Sequence, residues 1–123
     1  MRAGVLAIDA GTSGTRAAVV DEEGCVEHLA ARPLGICRPE RGAAEQDAGE
    51  VLRATVEVAR RAAHRAEEEG IELVALGRCA QRASAVLWDL ARSEPSGPAG
   101  LRQDERLAAR LAAAEAGLSR KLR

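Results

Sequence analysis

Apolar and polar positions alternate in character along this chain, and the changes of period mark its elements. Residues 4–9, GVLAID, form a short apolar run without helical period, stopped by Gly11 and Gly14, which predicts a buried strand. TRAAVVDEEG follows, with Val19 and Val20 ahead of an acidic turn at Gly24, and CVEHLAAR after it; both read as strands, giving successive hairpins. The proline-bearing stretch PLGICRPERGAAEQD reads as a loop. From Asp47 to Glu69 the period changes: Leu52, Val56, Ala59, Ala63 and Ala66 recur every three or four residues opposite Arg and Glu, the mark of an amphipathic helix. Asp47 is its expected N-cap, with Glu50 three residues on, and Gly70 its expected stop. Glu67, Glu68 and Glu69 sit at the negative end of the helix dipole, and the expectation is a solvated face without partners. IELVALG and SAVLWDL read as further strands, the first buried, ARSEPSGPAG as a turn-rich connection, and Leu107, Leu111, Ala114 and Leu118 mark a last helix. The order strand, strand, strand, helix, strand, strand, helix implies a mixed α/β sheet.

Composition narrows what such a sheet could serve. Lys and Arg number 18 against 19 Asp and Glu, a net charge of -1, so no overall field favours nucleic acid or anionic lipid. No window approaches a membrane span or a signal peptide, and Cys25, Cys37 and Cys79 have no CxxC spacing. A cytoplasmic protein with reduced thiols is expected. The 123 residues suit one domain, whose core must come from Val, Leu, Ile and Ala because Trp88 is the only aromatic. Trp88 itself is expected in that core. His28 and His64 are expected at the surface, and no spacing of His, Cys and acids predicts a zinc site.

The chemistry concentrates in AIDAGTSGTR. A P-loop is excluded, since no lysine precedes Lys121, and Gly11 and Gly14 do not have the spacing of the dinucleotide fingerprint. Two readings stay open. One is a plain hairpin turn whose glycines supply positive backbone angles. The other is a phosphate-binding hairpin, with backbone N–H groups and the hydroxyls of Thr12, Ser13 and Thr15 around phosphate oxygens, Arg16 pairing with phosphate charge, and Asp9 facing a hydrated Mg²⁺.

AIDAGTSGTRAAVVDEEG resembles the first phosphate motif of the actin-like ATPase superfamily. RGAAEQDAGEVLRATVE, LGRCAQRASAVLWD and GPAGLRQDERLAARL resemble, in order, further segments of the glycerol kinase-like FGGY carbohydrate kinases, so that the likeness runs over residues 5–116. It implies a ribonuclease H-like mixed sheet with flanking helices, incomplete, residues 1–123 being part of the family's N-terminal domain. It further implies ATP-dependent transfer of the γ-phosphoryl group to a hydroxyl of a sugar or polyol, with ATP and Mg²⁺ as cofactors. Asp9 would hold Mg²⁺ through water; Gly11, Thr12, Ser13, Thr15 and Arg16 would meet the nucleotide phosphates. Gln81, Arg82, Gln103 and Asp104 would line the substrate pocket, although Asp104 could instead cap the last helix.

The departures from the family also carry expectations. Glycerol kinases place a glutamate after this arginine, where Ala83 stands, and tryptophans where Leu52 and Arg102 stand, which points to a substrate other than glycerol. The family's catalytic base and adenosine site lie beyond the matched region. These residues alone are therefore expected to be inactive, and a missing kinase half, another kinase chain or an oligomer is the expected partner. The alternatives are a noncatalytic half-domain that binds nucleotide or a partner, and the product of a gene remnant.

Overall fold

The computed structural model describes residues 2–121, with the side chains of residues 109, 110 and 118–121 outside that description. A four-stranded sheet runs through β1 (Arg2–Ala10), β2 (Gly14–Asp21), β3 (Val26–Pro33) and, after the helix α1 (Ala48–Glu68), β5 (Ile71–Ala80). Its order is β3-β2-β1-β5. The hairpin strands β1, β2 and β3 pair antiparallel, and β5 returns parallel to β1 because α1 carries the chain across the sheet. Short pairs complete the fold: β4 (Glu45–Gln46) with β8 (Ala99–Gly100), and β6 (Trp88–Asp89) with β7 (Glu94–Pro95). The last element is α2 (Ala108–Lys121).

The core lies between α1 and one face of the sheet, where Leu6, Ala17, Val19, Ala30 and Ile71 meet Val58, Ala62 and Ala66. The buried stripe of α1 is Ala54, Val58, Ala62 and Ala66, offset from the stripe expected through Leu52 and Val56, which are 51% and 37% exposed. Alanines win the inner face because helix and sheet approach closely, leaving the larger Leu52 at the rim. Asp47 caps α1 as expected, its Oδ1 accepting from the Glu50 N–H at 2.9 Å. Removing that acceptor in Asp47→Ala should cost about 1 kcal/mol, read as a lowered midpoint in urea with an unchanged slope. At the other end Gly70 adopts φ +70°, the left-handed stop that glycine supplies.

Other expectations change on folding. Past Leu73, β5 is exposed rather than buried, Val74 at 61% and Leu76 at 58%, since only Ile71 and Leu73 join the core under α1 and no strand pairs with its outer edge among the described residues. SAVLWDL forms no full strand; Trp88 and Asp89 pair with β7 and Ala85 makes a single bridge to Gly100, with Leu87 and Leu90 exposed. Asp89 Oδ1 accepts the N–H groups of Ala91 and Arg92, which turns the chain at once. Trp88 is 39% exposed and outside the core. The expected last helix is present, with Leu107 just ahead of it and Leu111 62% exposed; the Leu118 side chain lies outside those described. No helix among the described residues is long and apolar enough to cross a membrane.

Candidate functional site: the hairpin loop and the glutamine pair behind it

Alternation along a strand sends neighbouring side chains to opposite faces, and this divides the residues of the hairpin. Asp9 pairs in register with Arg16 on one side and Cys79 on the other. The Arg16 guanidinium donates to Asp9 Oδ2 at 3.3 Å and the Cys79 thiol to Asp9 Oδ1 at 3.3 Å, so the carboxylate sits between them on the face away from α1. That bond to Asp9, with some desolvation, holds the Cys79 thiol above its ordinary pKa. Asp9 is 45% exposed, not the buried acid that its strand suggested, and has room for a ligand on its open side. Cys25, Cys37 and Cys79 are all free thiols.

Thr15 is the exception to the expected cradle. One residue before Arg16, it faces α1, is wholly buried, and places its hydroxyl 3.1 Å from that of Thr55, which in turn donates to the Val51 carbonyl. A phosphate outside the loop cannot touch it in this arrangement. Ser13 is exposed, and the N–H groups of Thr12 and Ser13 donate to no group among the described residues. The glycines of the loop serve a different need from the positive angles of a plain hairpin turn, which appear instead at Gly24, Gly42 and Gly70. A Cβ on Gly14 would stand 2.8 Å from the Arg32 carbonyl oxygen, and one on Gly11 3.0 Å from that of Gly14. Close backbone packing is their requirement.

Behind the loop lies a network that the sequence reading did not assign. Gln46, only 2% exposed, donates from Nε2 to the carbonyls of Thr12 at 2.6 Å and Gly35 at 3.1 Å. Its Oε1 accepts from Gln81 Nε2 at 3.1 Å, while Gln81 Oε1 accepts from the hydroxyls of Thr12 at 2.9 Å and Ser84 at 3.1 Å. Gln81 is thus committed to holding Thr12 in place. The sequence marked Gln46 only as a member of the RGAAEQDAGEVLRATVE segment that resembles the carbohydrate kinases, with no role of its own.

The remaining candidates are spread around this centre. A cleft of about 340 Å³ opens between the first half of α1 and the end of β5, lined by Val51, Leu52, Thr55, Ala80, Gln81 and Trp88 among others. Arg82 and Gln103 are exposed, make no side-chain hydrogen bond among the described residues, and do not line the cleft. Asp104 does not cap α2. Its carboxylate accepts from the Ala44 N–H at 3.2 Å and pairs with Arg106 at 2.6 Å, and Arg106 also reaches Glu40 and Glu45. This clamp fastens the loop before α2 to the segment leading into β4.

The Arg106 guanidinium, ahead of the Ala44 N–H, holds the Asp104 carboxyl well below the usual carboxylate range. Since the folded pKa lies below the unfolded value of about 3.9, the stability it contributes is present above that pH and is lost as pH falls below it. Asp104→Asn should therefore narrow the gap in thermal midpoint from the parent protein as the pH is lowered from about 6 toward 3.

Residues 4–121 match the model of the FGGY family of carbohydrate kinases, N-terminal domain. A glycerol kinase of Bordetella pertussis is 38% identical over 105 residues, covering 85% of this chain and 21% of that protein. In shape, the chain superposes on Plasmodium falciparum glycerol kinase with ADP at a TM-score of 0.88 and 20% identity, covering 94% of this chain and 23% of that one. Xylulose kinase from Rhodospirillum rubrum gives a TM-score of 0.85 at 24% identity, over 93% and 23% of the two chains. These likenesses place the mixed sheet in the actin-like, ribonuclease H-like class of the sugar kinases. The chain spans about a fifth of the length of the curated relatives it matches.

Proposed function

We propose, because the chain belongs to the FGGY family of carbohydrate kinases, that it supplies the first phosphate hairpin and one wall of the acceptor pocket of a cytoplasmic kinase. That kinase passes the γ-phosphoryl group of ATP to a hydroxyl of a small sugar or polyol. The observation that carries this reading is the Thr12–Gln46–Gln81 network, which holds the hairpin loop in one shape with the Thr12 and Ser13 N–H groups unused. Such preset donors suit phosphoryl transfer, which relies on positioning and on neutralising charge. Gly11, Thr12, Ser13 and Arg16 would meet the phosphates, and Asp9, half-exposed beside Arg16, would hold the water shell of Mg²⁺. Bound Mg²⁺ supplies charge neutralisation at the phosphates. Thr15 supports the loop from behind through Thr55.

Arg82, exposed and unengaged, is the candidate to receive acceptor hydroxyls, with Gln103 beside Asp104 as a second wall. Asp104 positions that wall through Arg106. Ala83 in place of a glutamate and Leu52 on the cleft in place of a tryptophan favour an acceptor other than glycerol. The exposed β5 edge fits cover by the remaining part of the kinase or by another kinase chain.

The test is ADP release by the full-length protein with Mg·ATP across a panel of pentuloses, hexoses and polyols. Arg82→Ala is expected to weaken kcat/KM for the preferred acceptor by about 10- to 100-fold, the equivalent of a charge-assisted hydrogen bond. No acceptor-dependent ADP release from any of the panel would refute the reading.

A further inference from the structure

Where the end of α1 meets β3, a cluster forms that has no part in the hairpin chemistry. β3 carries a bulge: Ala17 pairs with Ala30 and Val19 with Glu27, so His28 and Leu29 stand opposite the single residue Ala18. His28 takes φ +54°, a left-handed conformation uncommon for a residue with a side chain. Its imidazole, expected at the surface, is nine-tenths buried at 10% exposure. Glu69, expected to be solvated without a partner, turns back toward it.

The spacing within this cluster is informative. His28 Nε2 lies 3.4 Å from Glu69 Oε2 and 3.7 Å from Glu27 Oε2. Both His28 Nε2 and Glu27 Oε2 are buried and have no hydrogen-bond partner, a condition that native structures seldom leave unanswered. The three donor atoms all fall within 4.8 Å of one another. Ligands at about 2.0–2.2 Å from a tetrahedral Zn²⁺ stand about 3.3–3.6 Å apart, close to the observed separations and longer than a direct charged hydrogen bond of about 2.7–2.9 Å. Arg2 donates to Glu27 Oε1 at 3.1 Å, which fixes that carboxylate with its other oxygen toward the imidazole. This is the outer-sphere support that metal-binding carboxylates ordinarily receive.

We propose that Glu27, His28 and Glu69 form a divalent-cation site, suited to Zn²⁺, that clasps the C-terminal end of α1 to the bulge of β3. One imidazole nitrogen and two carboxylate oxygens suit a borderline cation and leave a fourth position for water. Glu69 follows Glu27 by more than forty residues, so no local spacing announces the site. The ion acts as a tie between helix and sheet: it binds the folded arrangement of the three ligands and raises stability by mass action.

The experiment follows the thermal midpoint of the full-length protein, stripped of metal and free of nucleotide, in a ZnCl₂ titration, with equilibrium dialysis to count bound Zn²⁺. A rise in midpoint with one equivalent bound is expected. His28→Gln and Glu69→Gln should each weaken binding by at least about 10-fold, the loss that removal of an orienting partner alone can cause. Glu69 is exposed enough that its variant tests the site even if the His28 variant folds poorly. Cys25→Ser, which removes a nearby exposed thiol as a competing ligand, should leave the binding unchanged. No midpoint rise, or an equal rise in Glu69→Gln, would overturn the proposal, and neither result bears on kinase activity.

Discussion

Replacing Asp9 with asparagine is expected to lower turnover with Mg·ATP by about 10²- to 10³-fold, the loss typical of removing one preorganised electrostatic group from a charged transition state. The substitution keeps the size and one hydrogen-bond acceptor, so Arg16 or Cys79 retains a partner. Because the Asp9–Arg16 pair is roughly half-exposed, its loss should cost no more than about 1 kcal/mol of stability. Steady-state kinetics over a range of Mg²⁺, with a melting curve beside it, separates the two effects. A large fall in kcat with an intact melting transition is the expected pattern. Full activity would remove Asp9 from the phosphate site and leave it as a strand-end residue paired with arginine.

The second large effect is one of structure. Gln46→Ala takes the donor from the carbonyls of Thr12 and Gly35 and the acceptor from Gln81 Nε2 in one step. Buried polar groups left without partners cost about 1–3 kcal/mol each, and water entering the gap recovers part of that. A net loss of about 2–4 kcal/mol is expected, a large share of the stability of a small domain. Urea denaturation would measure it. The loop carrying Thr12 and Ser13 would loosen as well, so activity should fall even in protein that remains folded. Gln46→Glu, which keeps the shape but not the donor toward Thr12, distinguishes a lost hydrogen bond from a lost volume.

These two residues differ in how far the sequence announced them. The position of Asp9 was legible, because an acid closing an apolar run just before a Gly-Thr-Ser loop marks the end of a strand, which is where β1 places it. Gln46 was visible as one letter of the family-like segment RGAAEQDAGEVLRATVE, with no role attached to it. Its partners, Thr12, Gly35 and Gln81, are 34, 11 and 35 residues away and come together through pairing that no local pattern encodes. Arg106 is a similar case, a charge on a predicted helix approach that proves to clamp Asp104, Glu45 and Glu40. Thr15 fails in the opposite direction. Its hydroxyl type fitted a cradle, yet strand alternation turns it to the α1 face, where Thr55 takes it.

What the sequence determined by itself is whatever local patterning decides. Period and turn residues set the opening hairpins, the span and N-cap of α1, the left-handed stop at Gly70, and the glycine loop between β1 and β2. Tertiary structure alone decided which side of each element is buried. The α1 stripe kept Ala66 as expected but otherwise shifted from Leu52 and Val56 to Ala54, Val58 and Ala62, because close helix–sheet approach selects for size as well as for hydrophobicity. The second half of β5 and the SAVLWDL segment stayed largely exposed because an apolar residue is buried only when another element packs over it, and α1 leaves an open cleft beside them. Distant side chains such as Gln46 with Gln81, and His28 with Glu69, acquire their neighbours only once the sheet order is set.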